Sequence, residues 1–215
     1  VVKGPDGTFH LVWTSSWKGD LGFGYSSSKD LIHWTEQRFI PVMEDTTTVN
    51  VWAPELFYDD VRRQYMIIWA SCVPGKFPDY IEDHYNNHRL YYVTTKDFKK
   101  FSKAKLLIDP DFSCIDATLV KRAKNDYVMV LKDNSRKQRN IKVAFSKTPF
   151  GPWTKPSEPF TESFTEGPTT AKVGDWYYIY YDSYRHAIYG AARTKDFKTF
   201  QNQTGTVKFP VGHKH

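Results

Sequence analysis

Cysteine is nearly absent: Cys72 and Cys114 are the only two in 215 residues. Two thiols in apolar runs make neither a disulfide framework nor a metal-ligand spacing, and they read as buried side chains. Long hydrophobic runs are missing too, since no stretch approaches the roughly 18 apolar residues of a membrane-spanning helix. Helical periodicity is scarce, which argues against a bundle or an α/β layer. The net charge of +6 could suit an acidic partner, but the lysines are spread through turns, as at Lys96, Lys99 and Lys100. Without a basic helix or an RNA-binding signature, nucleic acid is excluded as the partner.

What the sequence has in quantity is aromatic rings, with 7 Trp, 14 Tyr and 15 Phe. Such residues fill β-structure, and their faces also stack on the C–H faces of sugars. They recur in a pattern. Lys29-Asp30-Leu31-Ile32-His33-Trp34 returns as Lys96-Asp97-Phe98-Lys99-Lys100-Phe101 and as Lys195-Asp196-Phe197-Lys198-Thr199-Phe200. A variant, Thr148-Pro149-Phe150-Gly151-Pro152-Trp153, fills the gap between the last two. Each is preceded by a Ser- or Thr-tipped strand (24–27, 90–95, 142–146, 189–194) and, before that, by a second strand (9–14, 65–71, 127–132, 176–182). Repeats of roughly 40–50 residues, each a small antiparallel sheet, predict a β-propeller. Four such units are visible. Asp30, Asp97 and Asp196 occupy equivalent places and read as turn formers.

Three further segments, 50–56, 115–120 and 166–171, precede the hairpins and read as innermost strands lining a hub. They place Glu55, Asp116 and Glu166 on three neighbouring blades. Glu166 stands directly before Gly167-Pro168, a frame with few backbone options, and Asp116 interrupts an apolar strand, where a carboxylate must be paired or functional. Two converging carboxyls are the minimum equipment for glycoside hydrolysis.

Ile115-Asp116-Ala117, Glu166-Gly167-Pro168 and Trp52-Ala53-Pro54 stand in the order of the corresponding motifs of glycoside hydrolase family 43, which the whole chain resembles. The resemblance implies an all-β, five-bladed β-propeller, a single domain over residues 1–215 that is incomplete at both termini. It implies an inverting glycosidase releasing arabinofuranosyl, xylosyl or galactofuranosyl residues from plant-type polysaccharide. Glu166 would be the general acid, its pKa raised by burial and a like charge, and Asp116 the carboxylate that orients it. The family's general base, an Asp just ahead of the first hairpin, has no counterpart here, because Asp6 lies in an Asp-Gly turn. It is expected upstream of Val1. Trp52, Trp17, Arg185 and Asn134 are candidate substrate contacts, Arg185 through a sugar hydroxyl or Asp116. No cofactor is required, but His215 matches the family's closing His, which helps to hold a Ca or Na ion at the hub. The insertion at 74–88, with His84 and His88, reads as a surface loop rimming the site. The partner is an oligo- or polysaccharide, the protein a monomer, and its home secreted or periplasmic. The alternative is a non-catalytic carbohydrate-binding propeller without the base. A remoter one is a protein-interaction propeller, which would expose an apolar patch.

Overall fold

The computed structural model describes residues 1–77 and 82–208. They form antiparallel sheets, with a single 3-10 turn at Asp83–Tyr85 as the helical element among the described residues. The chain divides into two compact units, Val1–Ile115 and Asp116–His215.

The first unit carries two four-stranded sheets. One runs in chain order through β1 (Val2–Lys3), β2 (Phe9–Thr14), β3 (Gly22–Ser28) and β4 (Arg38–Pro41). The other runs through β5 (Trp52–Asp59), β6 (Gln64–Cys72), β7 (His88–Thr95) and β8 (Lys105–Ile108). Their core joins Val12, Phe23 and Tyr25 of the first sheet to Tyr65, Ile67, Trp69 and Tyr91 of the second. Trp69, fully buried, is its largest side chain.

The second unit carries β9 (Cys114–Ala123, which begins just ahead of the boundary), β10 (Asp126–Asp133) and β11 (Asn140–Ser146) in one sheet. Its other sheet is β12 (Thr165–Val173), β13 (Trp176–Ser183), β14 (Ile188–Thr194) and β15 (Gln201–Asn202). Val128, Val130, Ile141 and Val143 pack on Tyr177, Ile179, Tyr181 and Ala192. The strands predicted from the repeats lie within a residue or two of the observed ones. Among the described residues the third sheet has no fourth strand. Instead Thr154, Ser157 and Phe160 each donate one N–H to β11, to the carbonyls of Phe145, Val143 and Ile141. Pro152, Pro156 and Pro159 lie in this stretch and have no N–H for a ladder, so a regular edge strand cannot form.

The repeated Lys-Asp turns are built alike. The third residue of each, Leu31, Phe98 and Phe197, has a positive φ of 66°, 55° and 58°. Its N–H is accepted at 2.9 Å by the hydroxyl of Ser28, Thr95 or Thr194. The carboxylate of Asp30, Asp97 or Asp196 then accepts the next two N–H groups. The hydrogen bonds hold the left-handed residue in place and aim Phe98 and Phe197 into the core, where both are buried.

These bonds depress the carboxyl pKa values, by the Lys100 and Lys99 N–H groups at Asp97 and the Thr199 and Lys198 N–H groups at Asp196. Asp30 is held down first by His33, through its side chain and its N–H. In the first turn the Thr8 hydroxyl lowers Asp6 to about 2. A carboxyl depressed in the folded state stabilises above its unfolded pKa of about 4 and loses that contribution as pH falls through the folded value. A triple variant Asp30→Asn, Asp97→Asn, Asp196→Asn should therefore show a shallower fall in Tm between pH 5 and pH 2.5 than the parent. Equal slopes in a thermal melt series would mean that these turns contribute nothing to acid sensitivity.

Candidate active site

Glu166 and Asp116 stand on the two leading strands of the second unit. Both strands distort there. On β12, Gly167 has φ 57° and the pairing with β13 slips between Glu166 and Thr169. Pro168 sits in the slip, where its missing N–H costs no ladder bond. On β9, Asp116 itself has φ 52°. On β5 of the first unit the same distortion falls at Ala53, with φ 47° and a slip between Trp52 and Glu55. Three segments with the same place in their sheets thus each carry a left-handed residue, and two of them hold a non-glycine residue in that costly conformation. Asp tolerates this region better than most residues.

The consequence at Asp116 is direct. Its Oδ2 accepts the N–H of Gly167 at 3.1 Å. The carboxylate therefore grips the main chain one residue beyond Glu166 and fixes where the Glu166 side chain starts. Glu166 is half-buried, and its Oε2 accepts a hydrogen bond from Lys132 Nζ at 2.6 Å. Lys132 is almost wholly buried, its side chain 3% exposed. Its ammonium also lies 5.1 Å from the Tyr184 ring.

The structure revises several sequence expectations. Glu166 has a charged neighbour that the sequence reading did not offer, Lys132. Lys132 escaped notice because it ends the apolar run 127–131, where a lone Lys reads as the solvent end of a strand; its near-complete burial was the missing signal. Arg185, expected at a sugar hydroxyl or at Asp116, lies over the Phe164 ring, 3.5 Å from its centroid. Asn134 is half-buried in the turn after β10 and is tied to neither carboxylate by a hydrogen bond. Glu55 lies on β5 of the first unit, in register with Ile68. Of the three expected hub carboxylates, the second unit brings together Asp116 and Glu166.

In the first unit Trp17 and Trp52 do meet. Their rings are 4.4 Å apart, and Trp52 Nε1–H donates to the Trp17 carbonyl at 2.8 Å. Trp52 in turn stacks on His88 at 4.8 Å. Trp17 caps this pile and is 70% exposed. His88 is not a surface-loop residue. It is fully buried, with Nδ1 2.7 Å from Glu82 Oε1 and Nε2 2.9 Å from the Asn50 amide nitrogen. A polar ring so enclosed needs partners on both nitrogens, and strand β7 starts at His88 to provide them. His84 is exposed. His215 and its hub ion lie outside the described residues.

A family model described as a probable glycosyl hydrolase domain, related to family 43, matches residues 11–215. The chain belongs to this family 43-related group of glycosyl hydrolases. A search of curated proteins found no match. Among solved structures, the family 43-related chain is similar to a Hadza microbial sialidase, at 16% identity and a TM-score of 0.71, over 93% of this chain and 44% of that one. It is similar to a family 43 endo-arabinanase from Bacillus licheniformis, at 17% identity and a TM-score of 0.69, over 95% of this chain and 74% of that one. A xylan β-1,4-xylosidase from Bacillus halodurans shares 18% identity, with a TM-score of 0.63, over 93% of this chain and 42% of that one. The chain thus spans less than half the length of two of these three. At such identities the likeness is one of fold: the four sheets are blades of an all-β propeller.

Proposed function

We propose that this domain is the core of an inverting glycosidase that releases terminal arabinofuranosyl, xylosyl or galactofuranosyl residues from plant-type polysaccharide. The observation that carries the reading is the bond from Gly167 N–H to Asp116 Oδ2, which links two carboxylate-bearing strands at one point. Glu166 delivers a proton to the departing glycosidic oxygen, and Asp116 fixes the peptide from which Glu166 projects. Lys132 orients the carboxylate between turnovers and must release it for proton delivery. Inversion further requires a base carboxylate about 6.5–9.5 Å from the acid, with a water between base and sugar. The test is hydrolysis of aryl α-L-arabinofuranoside, β-xyloside and β-galactofuranoside by the full-length gene product. Absence of turnover on all three, and on arabinoxylan and arabinogalactan, would count against a hydrolase.

The ion pair between Lys132 and Glu166 is the observation that favours the second reading, a sugar-binding propeller without turnover. Glycan binding that survives without any product by chromatography would select it.

A substrate outside the cytoplasm makes a secreted or periplasmic protein the consistent reading. A five-bladed wheel is supported by two aromatic sheet faces that stay half-buried. On β2 the alternate residues Phe9, Leu11 and Trp13 are less buried than His10 and Val12 between them. On β13 the same holds for Trp176, Tyr178 and Tyr180 against Tyr177, Ile179 and Tyr181. A further sheet of the full-length protein would cover such faces.

Trp17 offers a ring face to a sugar, its other face packed at 35° against Trp52. Trp17→Ala should raise KM for an oligosaccharide about 3- to 10-fold, as loss of one stacking contact predicts, with kcat little changed. Initial-rate kinetics decide it, and an unchanged KM would leave Trp17 without a role in binding.

A further inference from the structure

Phe164, two residues ahead of Glu166, has a φ of 69°, a conformation that a bulky residue rarely takes. The carbonyl of Arg139 holds it there, accepting the N–H groups of Phe164 at 2.7 Å and Thr165 at 3.1 Å. Backbone cost held in place beside a candidate acid points to use. The ring so placed is occupied on several sides. Tyr184 meets it edge-on at 5.9 Å and 90°, the Arg139 guanidinium lies 5.7 Å from its centroid, and the Arg185 guanidinium covers it at 3.5 Å.

Arg185 is the unusual member. It is exposed, and among the described residues it forms no ion pair. An exposed arginine ordinarily wanders. Here the stacking fixes the plane of the guanidinium and leaves its N–H edge for a ligand. The contacts run without a break from it to the acid: Arg185 on Phe164, Phe164 against Tyr184, Tyr184 beneath the Lys132 ammonium, and Lys132 on Glu166. Glu166 balances the charge of Lys132. Arg185 has no such counterpart, and its own loop adds none, with exposed His186 and Ala187 following it.

We propose that Arg185, laid on Phe164, is a binding fork for a carboxylate, so that this site selects glycans bearing uronic acid over their neutral counterparts. A planar guanidinium matches a carboxylate through two parallel N–H···O bonds, which neutral hydroxyls cannot equal in charge. The proposal rests on the glycan-binding reading above, and it names the substrate class of that same site.

The experiment uses the full-length protein carrying Glu166→Gln, so that binding is read without turnover. Its probes are a glucuronic-acid-substituted arabinoxylan and the same polymer after chemical reduction of its carboxyl groups to alcohols. Calorimetry at 150 mM salt should show about tenfold weaker binding to the reduced polymer. Adding Arg185→Met, which keeps a flexible apolar stem on Phe164, should abolish that difference and leave both polymers at the weaker affinity. Equal affinity of the parent for both polymers, binding to neither, or full discrimination by Arg185→Met would overturn the assignment. So would an equal loss of discrimination in Arg136→Ala/Lys137→Ala, which would indicate general attraction to a basic protein. Discrimination through Arg185 in a protein with an intact Glu166 that cleaves neither polymer would uphold the fork and remove the hydrolase reading, so the two fail separately.

Discussion

Glu166→Gln should lower kcat on a natural polysaccharide by about 100- to 10,000-fold while the domain folds as before. The amide keeps the shape of the side chain and can still accept the Lys132 hydrogen bond through its oxygen, so the 2.6 Å contact survives without its charge pairing. What it cannot do is give up a proton at the leaving oxygen. The loss should depend on the leaving group in a way that a folding defect would not. A dinitrophenolate departs with little protonation, so the variant should retain far more of its activity on a dinitrophenyl glycoside than on an alkyl glycoside or the polymer. Near-parental rates on the polymer would remove Glu166 from the acid role, and a uniform loss on every substrate would point to misfolding or to a positioning role instead.

Substitution of Asp116 has the second-largest expected effect, and two variants divide its duties. Asp116→Asn keeps an oxygen able to accept the Gly167 N–H at about the observed 3.1 Å, and Asn is well suited to the positive φ of 52°. Its charge is gone, so activity should fall while the melting temperature holds. Asp116→Ala removes the acceptor as well and leaves a β-carbon in a left-handed backbone with no local compensation. The peptide after Glu166 is then unpinned, and a displacement near 1 Å costs about 100-fold in rate. The alanine variant should therefore be about 100-fold or more below the parent in kcat and also less stable, whereas the asparagine variant should be impaired in rate alone. Parallel melts and kinetics check this, and identical behaviour of the two variants would show that the bond to Gly167 positions nothing.

The repeats made the sheets legible because turn chemistry is local. A hydroxyl, a carboxylate and a left-handed apolar residue within four residues specify one turn, and Ser28, Thr95 and Thr194 show it three times. The carboxylates were legible for a related reason: Glu166 before Gly-Pro and Asp116 inside an apolar strand are both out of place unless something uses them.

The sequence by itself determined the strand order and the turns and offered Asp116 and Glu166 as candidates, since each depends on residues near one another in the chain. Tertiary structure alone decided what those groups touch. Lys132 reaches Glu166 across 34 positions, and Asp116 reaches Gly167 across 51. Arg185 turned to Phe164, and His88 went inward to Glu82 and Asn50. Such partners are set by which sheets pack together and by where a buried charge or ring nitrogen can be satisfied. Neither is written into the residues flanking a motif, because desolvation acts on position in space and not on position in the chain.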